Sequence, residues 1–153
     1  MKEKVITYIK SILLPVLIGA AVGIITSRFN DYDTLIQPPL APPGILFPIV
    51  WTILYILMGI SYGILKTNSL NDGRTDLIYY TQLAINALWS IFFFVFKWRL
   101  FSFFWLVALI ILVAIMVYEF YKKNKVAGLL QLPYLAWTLF AAYLNLAVYI
   151  LNG

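Results

Sequence analysis

Five apolar stretches, each long enough to cross a bilayer, limit most strongly how this chain can fold. A helix needs about 20 apolar residues to span a hydrocarbon core of about 30 Å. Hydrophobic residues make up 63% of the chain and charged residues 11%, whereas soluble domains average about 45 to 50% and about 25%. The sequence therefore predicts an all-α membrane protein, a bundle of five transmembrane helices at about residues 6–26, 44–65, 77–96, 101–118 and 126–151.

The connections between these stretches leave little chain for a soluble domain, so residues 1–153 are interpreted as a single integral-membrane domain. Only Lys97, Trp98 and Arg99 separate the third stretch from the fourth, which predicts an antiparallel hairpin. The polar connection 66–76 contains an Asn-Asp-Gly turn, and Asp76 at its end is the predicted N-cap of the third helix.

Basic residues are distributed unequally between the two ends of the predicted bundle. The three on the side of the first long connection are Arg28, Lys97 and Arg99. The eight on the other side are Lys2, Lys4, Lys10, Lys66, Arg74, Lys122, Lys123 and Lys125. The positive-inside rule then predicts a multi-pass protein of the cell membrane with a cytoplasmic N-terminus. The net charge of +5 reports this orientation and does not indicate a nucleic-acid partner.

Several chemistries are excluded by residues that the chain lacks. It contains no cysteine and no histidine, so a disulfide, a thiolate nucleophile and a histidine-ligated haem iron are all excluded, and no metal site or cofactor is expected. No Asp, Glu, Lys or Arg occupies the middle of a predicted span. Because proton and ion relays through membranes use such residues, a proton-coupled pump is disfavoured.

The segment before the second helix is stiffened by proline. Four prolines occupy positions 38, 39, 42 and 43, and each fixes φ, removes a backbone donor and pushes its predecessor towards extended conformations. We interpret residues 27–43 as a rigid lid loop across the mouth of the bundle. Anchoring of the second helix, with Pro42 or Pro43 in its first turn, is an equally open explanation.

Polar aromatic side chains form a stripe inside the second helix. Trp51, Tyr55, Met58 and Tyr62 share one face at helical spacing, and Trp51 lies about 10 Å below the helix start. Indole and phenol groups buried in hydrocarbon need hydrogen-bond partners. The intramembrane asparagines, Asn86 and Asn145, must also face the bundle interior, either as interhelical hydrogen-bond partners or as part of a ligand cavity. A neutral aromatic cavity fits a flat hydrophobic ligand.

Small residues at spacings of three and four mark helix faces that permit close approach. Gly19 with Gly23 and Gly59 with Gly63 form small-xxx-small pairs. Packing within one chain is the first interpretation, and dimerisation is the alternative. Ala84 and Ala87 on the third helix offer a shallower face, through which a homodimer is expected.

Three segments together resemble the translocator protein family (TspO/MBR), whose members are also called tryptophan-rich sensory proteins or peripheral benzodiazepine receptors. They are PPLAPPGILFPIVWTILYILMGISYG at 38–63, QLAINALWSIFFF at 82–94 and LPYLAWTLFAAYLN at 132–145. The likeness extends over nearly the whole chain. It implies a five-helix bundle, often dimeric, that binds porphyrins, benzodiazepine-type drugs and, in animals, sterols.

The resemblance also implies the residues of the site. Together with Tyr55 from the aromatic stripe, the expected ligand-binding residues are Tyr32, Pro42, Trp51, Asn86, Trp89, Trp137, Ala141 and Leu144. Tyr32 and the loop prolines would form the lid. Trp51 and Trp137 are the redox-active candidates for light-dependent porphyrin breakdown. Tyr149 is followed only by Ile-Leu-Asn-Gly, so the sterol motif of animal members, which ends in a basic residue, is incomplete.

Three functions therefore stand side by side. The first is a membrane receptor and handler for tetrapyrroles. The second is light-dependent oxidative degradation of the bound porphyrin; the chain offers no acid, base, nucleophile or metal centre for it, so the chemistry would come from the ligand and from oxidisable indoles. The third is transport of porphyrins or sterol-like ligands across or along the membrane, although five spans fit poorly with an inverted repeat.

Overall fold

All regular elements of the computed structural model are helical over residues 1–152, which are the residues that the structure describes. The long helices are α1 (Lys2–Ser27), α2 (Leu46–Thr67), α3 (Gly73–Ser90), α4 (Arg99–Lys123) and α6 (Leu132–Asn152), and a short helix α5 (Lys125–Leu129) precedes α6. A 3₁₀ turn (Tyr32–Thr34) lies in the segment 28–45, called loop 1 below, and a π turn (Ile91–Val95) extends α3. Five spans are long and apolar enough to cross a membrane, which confirms the predicted five-helix architecture.

The start of α3 differs from the sequence-based prediction. Asp72, not Asp76, is the N-cap: its carboxylate accepts a hydrogen bond from the Thr75 backbone N–H at 2.9 Å, and the Thr75 hydroxyl accepts from the Asp72 N–H at 2.8 Å. This reciprocal pair stabilises the first turn and starts the helix four residues earlier. Asp76 instead accepts a hydrogen bond from the Tyr62 hydroxyl at 2.6 Å, which joins α3 to α2.

The glycines of α2 allow α1 and α2 to pack closely within one chain. A Cβ at Gly59 would meet the backbone of Ser11 and Ile12, with the Ser11 carbonyl oxygen only 2.6 Å away. A Cβ at Gly63 would meet the ring of Tyr8. For this glycine pair, packing within the chain is therefore the interpretation that the structure supports, because hydrogen is the largest substituent that fits at Gly59.

A tight hairpin joins α3 to α4, as predicted from its short connection. The π turn closes with a hydrogen bond from the Phe96 N–H to the Ile91 carbonyl at 3.1 Å. Lys97 then adopts a left-handed conformation with φ of 56°. Across the two helices, the indole N–H of Trp105 donates to the Ile85 carbonyl at 2.8 Å. The turn thus reverses the chain in very few residues, and the two helices run antiparallel.

The fifth span consists of two helices, where the sequence predicted one. The side chain of Asn124 accepts from the Ala127 N–H at 3.1 Å and caps α5. The helix is interrupted before Leu132, and Pro133 occupies the first turn of α6, where a backbone N–H would have no intrahelical acceptor in any case. Ser61 of α2 donates to the Ala127 carbonyl at 2.6 Å and holds α5 against the bundle.

The two ends of the bundle are packed differently. We call the half that contains the N-terminus the lower half and the half that contains loop 1 the upper half. In the lower half, the Tyr62 and Tyr79 rings stack at a centroid distance of 4.1 Å, and Phe120 is fully buried beside them. Stacked aromatic rings therefore form the core of the lower half, whereas the upper half encloses the large cavity described next.

Candidate ligand cavity

The upper half of the bundle contains a cavity of about 560 Å³ beneath loop 1. It is bounded by α1, α2, α6 and the C-terminal end of α3 with its π turn, while α4 and α5 contribute no lining residue. A volume in the range of about 300 to 1,000 Å³ with apolar and aromatic walls is typical of small-molecule sites. The cavity is therefore large enough for a drug-sized or macrocyclic ligand.

Aromatic side chains from α2 and α6 form one wall of the cavity. The Trp51 ring stacks on Tyr55 at a centroid distance of 5.7 Å and meets Trp137 edge to face at 6.4 Å. Phe47 contacts the other side of Trp137 at 5.9 Å, and Tyr32 of loop 1 packs on Phe47 at 4.9 Å. These contacts fix the ring planes against one another and present a continuous aromatic surface to a ligand.

Small residues of α1 form the opposite wall. At Gly19 an added Cβ would overlap the Tyr55 ring, so this glycine lets the phenol lie against the α1 backbone. One turn higher, a Cβ at Gly23 would meet nothing within 4 Å. Gly23 therefore keeps the wall recessed without being required for helix packing, and Ala20, three residues earlier, adds only a methyl group to the same wall.

Unpaired polar groups are sparse at the cavity surface. The indole N–H of Trp137 is buried and has no hydrogen-bond partner among residues 1–152. The Trp89 N–H is already satisfied, because it donates to the Asn145 side-chain oxygen at 3.0 Å, and Asn145 in turn donates to the Arg99 carbonyl at 2.7 Å. Trp137 thus carries an unpaired donor at the cavity wall, and a buried N–H without a partner is costly.

A chain of hydrogen bonds lies beneath the cavity floor. The Tyr55 hydroxyl donates to the Asn86 side-chain oxygen at 2.8 Å, and the Asn86 amide donates to the Tyr134 hydroxyl at 2.6 Å. Tyr134 donates to Gln82 at 2.8 Å, and Gln82 contacts the sulfur of Met58 at 3.4 Å. The Asn86 amide is therefore engaged with two tyrosines and does not line the cavity.

Loop 1 is fastened to itself and to α6. The Tyr32 hydroxyl donates to the Pro42 carbonyl at 2.8 Å. Burial, together with the nearby charge of Asp33, raises the pKa of Tyr32, so the hydroxyl remains a donor. The Asn152 side chain exchanges two hydrogen bonds with the Ile36 backbone, at 2.9 and 3.0 Å. Loop 1 is therefore held by an internal hydrogen bond between Tyr32 and Pro42 and by the contact of Ile36 with α6.

An ion-pair cluster fastens the start of loop 1 to the α3–α4 hairpin. Asp31 contacts Lys97 at 3.0 Å and Arg99 at 2.7 Å. Partial burial alone would raise the pKa of Asp31, but hydrogen bonds and charges from Lys97 and Arg99 outweigh it, and the net pKa lies below its usual value. The Arg99 guanidinium also lies over the Phe93 ring at 5.1 Å. The cluster of Asp31, Lys97 and Arg99, called the loop 1 clamp below, therefore connects loop 1 to Phe93 on the cavity wall.

Seven of the residues expected from the sequence line the cavity: Tyr32, Trp51, Tyr55, Trp89, Trp137, Ala141 and Leu144. Pro42 and Asn86 do not line it; Pro42 accepts the Tyr32 hydrogen bond, and Asn86 lies in the network below the floor. Sequence reasoning missed Phe47 and Gly23, which also line it. The spacing of Gly19 and Gly23 on α1 could have pointed to Gly23 as a cavity residue. However, glycines that serve only helix packing have the same spacing.

Comparison with known proteins places this architecture in a family. The sequence profile of the TspO/MBR family matches residues 11–151. The chain is 39% identical over 152 residues to the tryptophan-rich protein TspO of Archaeoglobus fulgidus, covering 97% of this chain and 99% of that protein. It is 35% identical to the tryptophan-rich protein TspO of Chlorobaculum tepidum, covering 99% of both chains. It is 33% identical to protein CrtK of Rhodobacter capsulatus, covering 88% and 86%. The profile match and these full-length likenesses agree with the five-span bundle, and the chain belongs to the TspO/MBR family.

Proposed function

We propose that this membrane protein binds a tetrapyrrole, such as a porphyrin, in the cavity below loop 1. The observation that carries the proposal is the pair Trp51 and Trp137, whose indoles meet at 6.4 Å on the cavity wall. A flat macrocycle can stack on such rings, and the unpaired Trp137 N–H supplies a donor for a carboxylate or carbonyl group. The surrounding apolar walls would desolvate the ring system.

The proposal is tested by titrating protoporphyrin into the detergent-solubilised protein and following the quenching of tryptophan fluorescence. Trp137→Phe keeps an aromatic ring and removes the N–H, so affinity should fall about two- to tenfold, the value of one hydrogen bond. Trp98→Phe is the matched control, because Trp98 is exposed and does not line the cavity. Equal affinities for both variants and the wild type would contradict the assignment of the site.

Light-dependent oxidative degradation of the bound porphyrin is a second candidate function. It is favoured by the contact of the two cavity indoles, which are the oxidisable side chains that a bound macrocycle would touch. Under illumination in air, the porphyrin absorption should decay faster with the wild type than with a Trp51→Phe/Trp137→Phe variant that is saturated with ligand. Equal decay in the two samples would mean that the protein binds the porphyrin and that these indoles do not promote its degradation.

Transport is favoured by a different observation, the position of α1. Ala20, Gly23 and Ile24 line the cavity and are exposed, Ile24 by 70%. A hydrophobic ligand could therefore enter from the lipid at this edge and move along the membrane. Porphyrin flux into sealed proteoliposomes, compared with protein-free vesicles, tests this function; equal flux would exclude it.

The same proposal extends to drug binding, to the location and orientation of the protein in the membrane, and to a homodimer. The cavity would also accept benzodiazepine-type drugs, which should compete with protoporphyrin. The protein would lie in the cell membrane with its N-terminus in the cytoplasm. A homodimer would form through α3, where Ala84 is exposed and Leu88 is 43% exposed. Crosslinking at position 84 in membranes should trap the dimer.

A further inference from the structure

A second pocket of about 190 Å³ lies in the lower half of the bundle, between α1, α2 and α3. Its residues are Lys10, Ser11, Leu14, Tyr62, Lys66, Tyr79 and Tyr80, none of which lines the large cavity. The volume is below the roughly 300 Å³ at which drug-sized sites begin. The pocket therefore fits a small group and not a macrocycle.

Two ammonium groups at this pocket lack an acidic partner. Lys97 and Lys123 each form an ion pair with an aspartate. In contrast, within the described chain no carboxylate lies within 4.0 Å of the Nζ atom of Lys10 or of Lys66. Lys66 lies over the Tyr62 ring at 5.6 Å, which holds it at the pocket. Two ammonium groups therefore stand against the one carboxylate that a pocket residue contacts, Asp76, and a net positive charge beside hydrocarbon favours an anion.

Hydroxyl groups accompany the two lysines. Tyr79 is fully buried, and its hydroxyl has no hydrogen-bond partner among residues 1–152. Tyr62 already donates to Asp76, which also accepts from Asn71 at 3.1 Å and does not line the pocket. The buried Ser11 supplies a further hydroxyl. An oxygen-rich ligand at the pocket would satisfy the Tyr79 donor, which otherwise pays a desolvation penalty.

We infer that this pocket binds the phosphate group of an anionic lipid. Leu14 lines the pocket and is 39% exposed, and Leu17, 59% exposed, lies further along α1. An acyl chain attached to a phosphate in the pocket could therefore follow the outer face of α1. The pocket lies at the end of the bundle where the lysines cluster, so it faces the same leaflet as the basic connections.

The inference is tested with phosphatidylglycerol and phosphatidylcholine that have identical acyl chains. Intact-mass measurement of the solubilised protein should show preferential retention of phosphatidylglycerol by the wild type. The Lys10→Gln/Lys66→Gln variant should lose about 30-fold in relative affinity, because each lysine near an anionic headgroup contributes about fivefold. The matched control Lys2→Gln/Lys4→Gln removes the same charge outside the pocket and should retain the preference.

Tyr79→Phe provides an independent test that leaves the charge and the ring stack unchanged. It should weaken phosphatidylglycerol retention with a melting temperature near that of the wild type, and it applies even if the double lysine variant does not fold. Inorganic phosphate, titrated against bound phosphatidylglycerol, distinguishes a lipid headgroup from free phosphate. Displacement at equal concentration, absence of a lipid preference in the wild type, or equal retention by the lysine and control variants would overturn the inference.

Discussion

At the scale of single residues, polar side chains buried in this bundle have distinct roles that depend on whether a protein partner is present. Asn86 has two tyrosine partners and supports the cavity floor from below. Trp137 lines the same cavity and has a buried N–H without a partner among the described residues. In a membrane, where water cannot compensate, the first residue stabilises the bundle, and the second is the donor that the proposed ligand would use.

Tyr134→Phe should destabilise the protein while leaving ligand binding nearly unchanged. The substitution removes the acceptor of the Asn86 amide and the donor to Gln82, and a buried polar group left without its partner costs about 1 to 3 kcal/mol. Thermal melting in detergent measures the effect. Tyr118→Phe is the control, since Tyr118 is 62% exposed. Equal melting temperatures for the two variants would show that the network adds no stability.

At the scale of elements, α1 is packed unevenly along its length. Its lower half approaches α2 at Gly59 with almost no space between the backbones. Its upper half, from Val16 to Ser27, lines the large cavity, and α1 is the least buried of the five spans. One helix therefore serves as a packing element at one end and as a cavity wall at the other.

Substitutions at two glycines, Gly59 of α2 and Gly23 of α1, should separate the packing role of α1 from its role as a cavity wall. Gly59→Ala places a methyl group against the Ser11 and Ile12 backbone, and overpacking of this kind costs about 1 to 3 kcal/mol, so the melting temperature should fall. Gly23→Ala meets open space and should melt at or above the wild-type temperature. The larger Gly23→Leu should remain folded and lose porphyrin affinity. Similar melting of the two alanine variants would be inconsistent with this packing.

The loop 1 clamp should persist at mildly acidic pH. Because the folded-state pKa of Asp31 lies below its ordinary value of 3.8, its ion pairs contribute fully above that value and are lost as pH falls through the lower, folded-state value. Hydrogen exchange of loop 1 amides, corrected for intrinsic rates, should stay constant from about pH 8 to about pH 4 and accelerate as the pH falls further. Asp31→Asn should exchange faster at every pH. A wild-type transition near neutral pH would refute this explanation.

At the scale of the whole molecule, the lower half has a core of stacked aromatic rings with one small pocket beside it, and the upper half encloses the large cavity. Stacked aromatic residues such as Tyr62, Tyr79 and Phe120 fill the lower core. In the upper half the aromatic rings surround a cavity, and loop 1 is fastened above it by hydrogen bonds and ion pairs.

The orientation of the molecule can be tested directly, because the chain contains no cysteine. A membrane-impermeant maleimide added to intact cells should label Leu40→Cys, which lies in loop 1 and is 82% exposed in the wild type. It should label Glu3→Cys only after lysis, since the N-terminus is predicted to be cytoplasmic. The reverse pattern would contradict the orientation inferred from the basic residues.

The five spans, the antiparallel α3–α4 hairpin and the inward orientation of Asn86 and Asn145 could all be predicted from the amino-acid sequence. These follow from local apolar length and from the cost of exposing an amide to lipid. The pairing of Asn86 with Tyr55 and Tyr134 below the cavity, and the unpaired N–H of Trp137, became known only from the packed bundle. The reason is that a side chain's partner depends on which helices lie side by side and at what height, and helical periodicity specifies a face but not its neighbour.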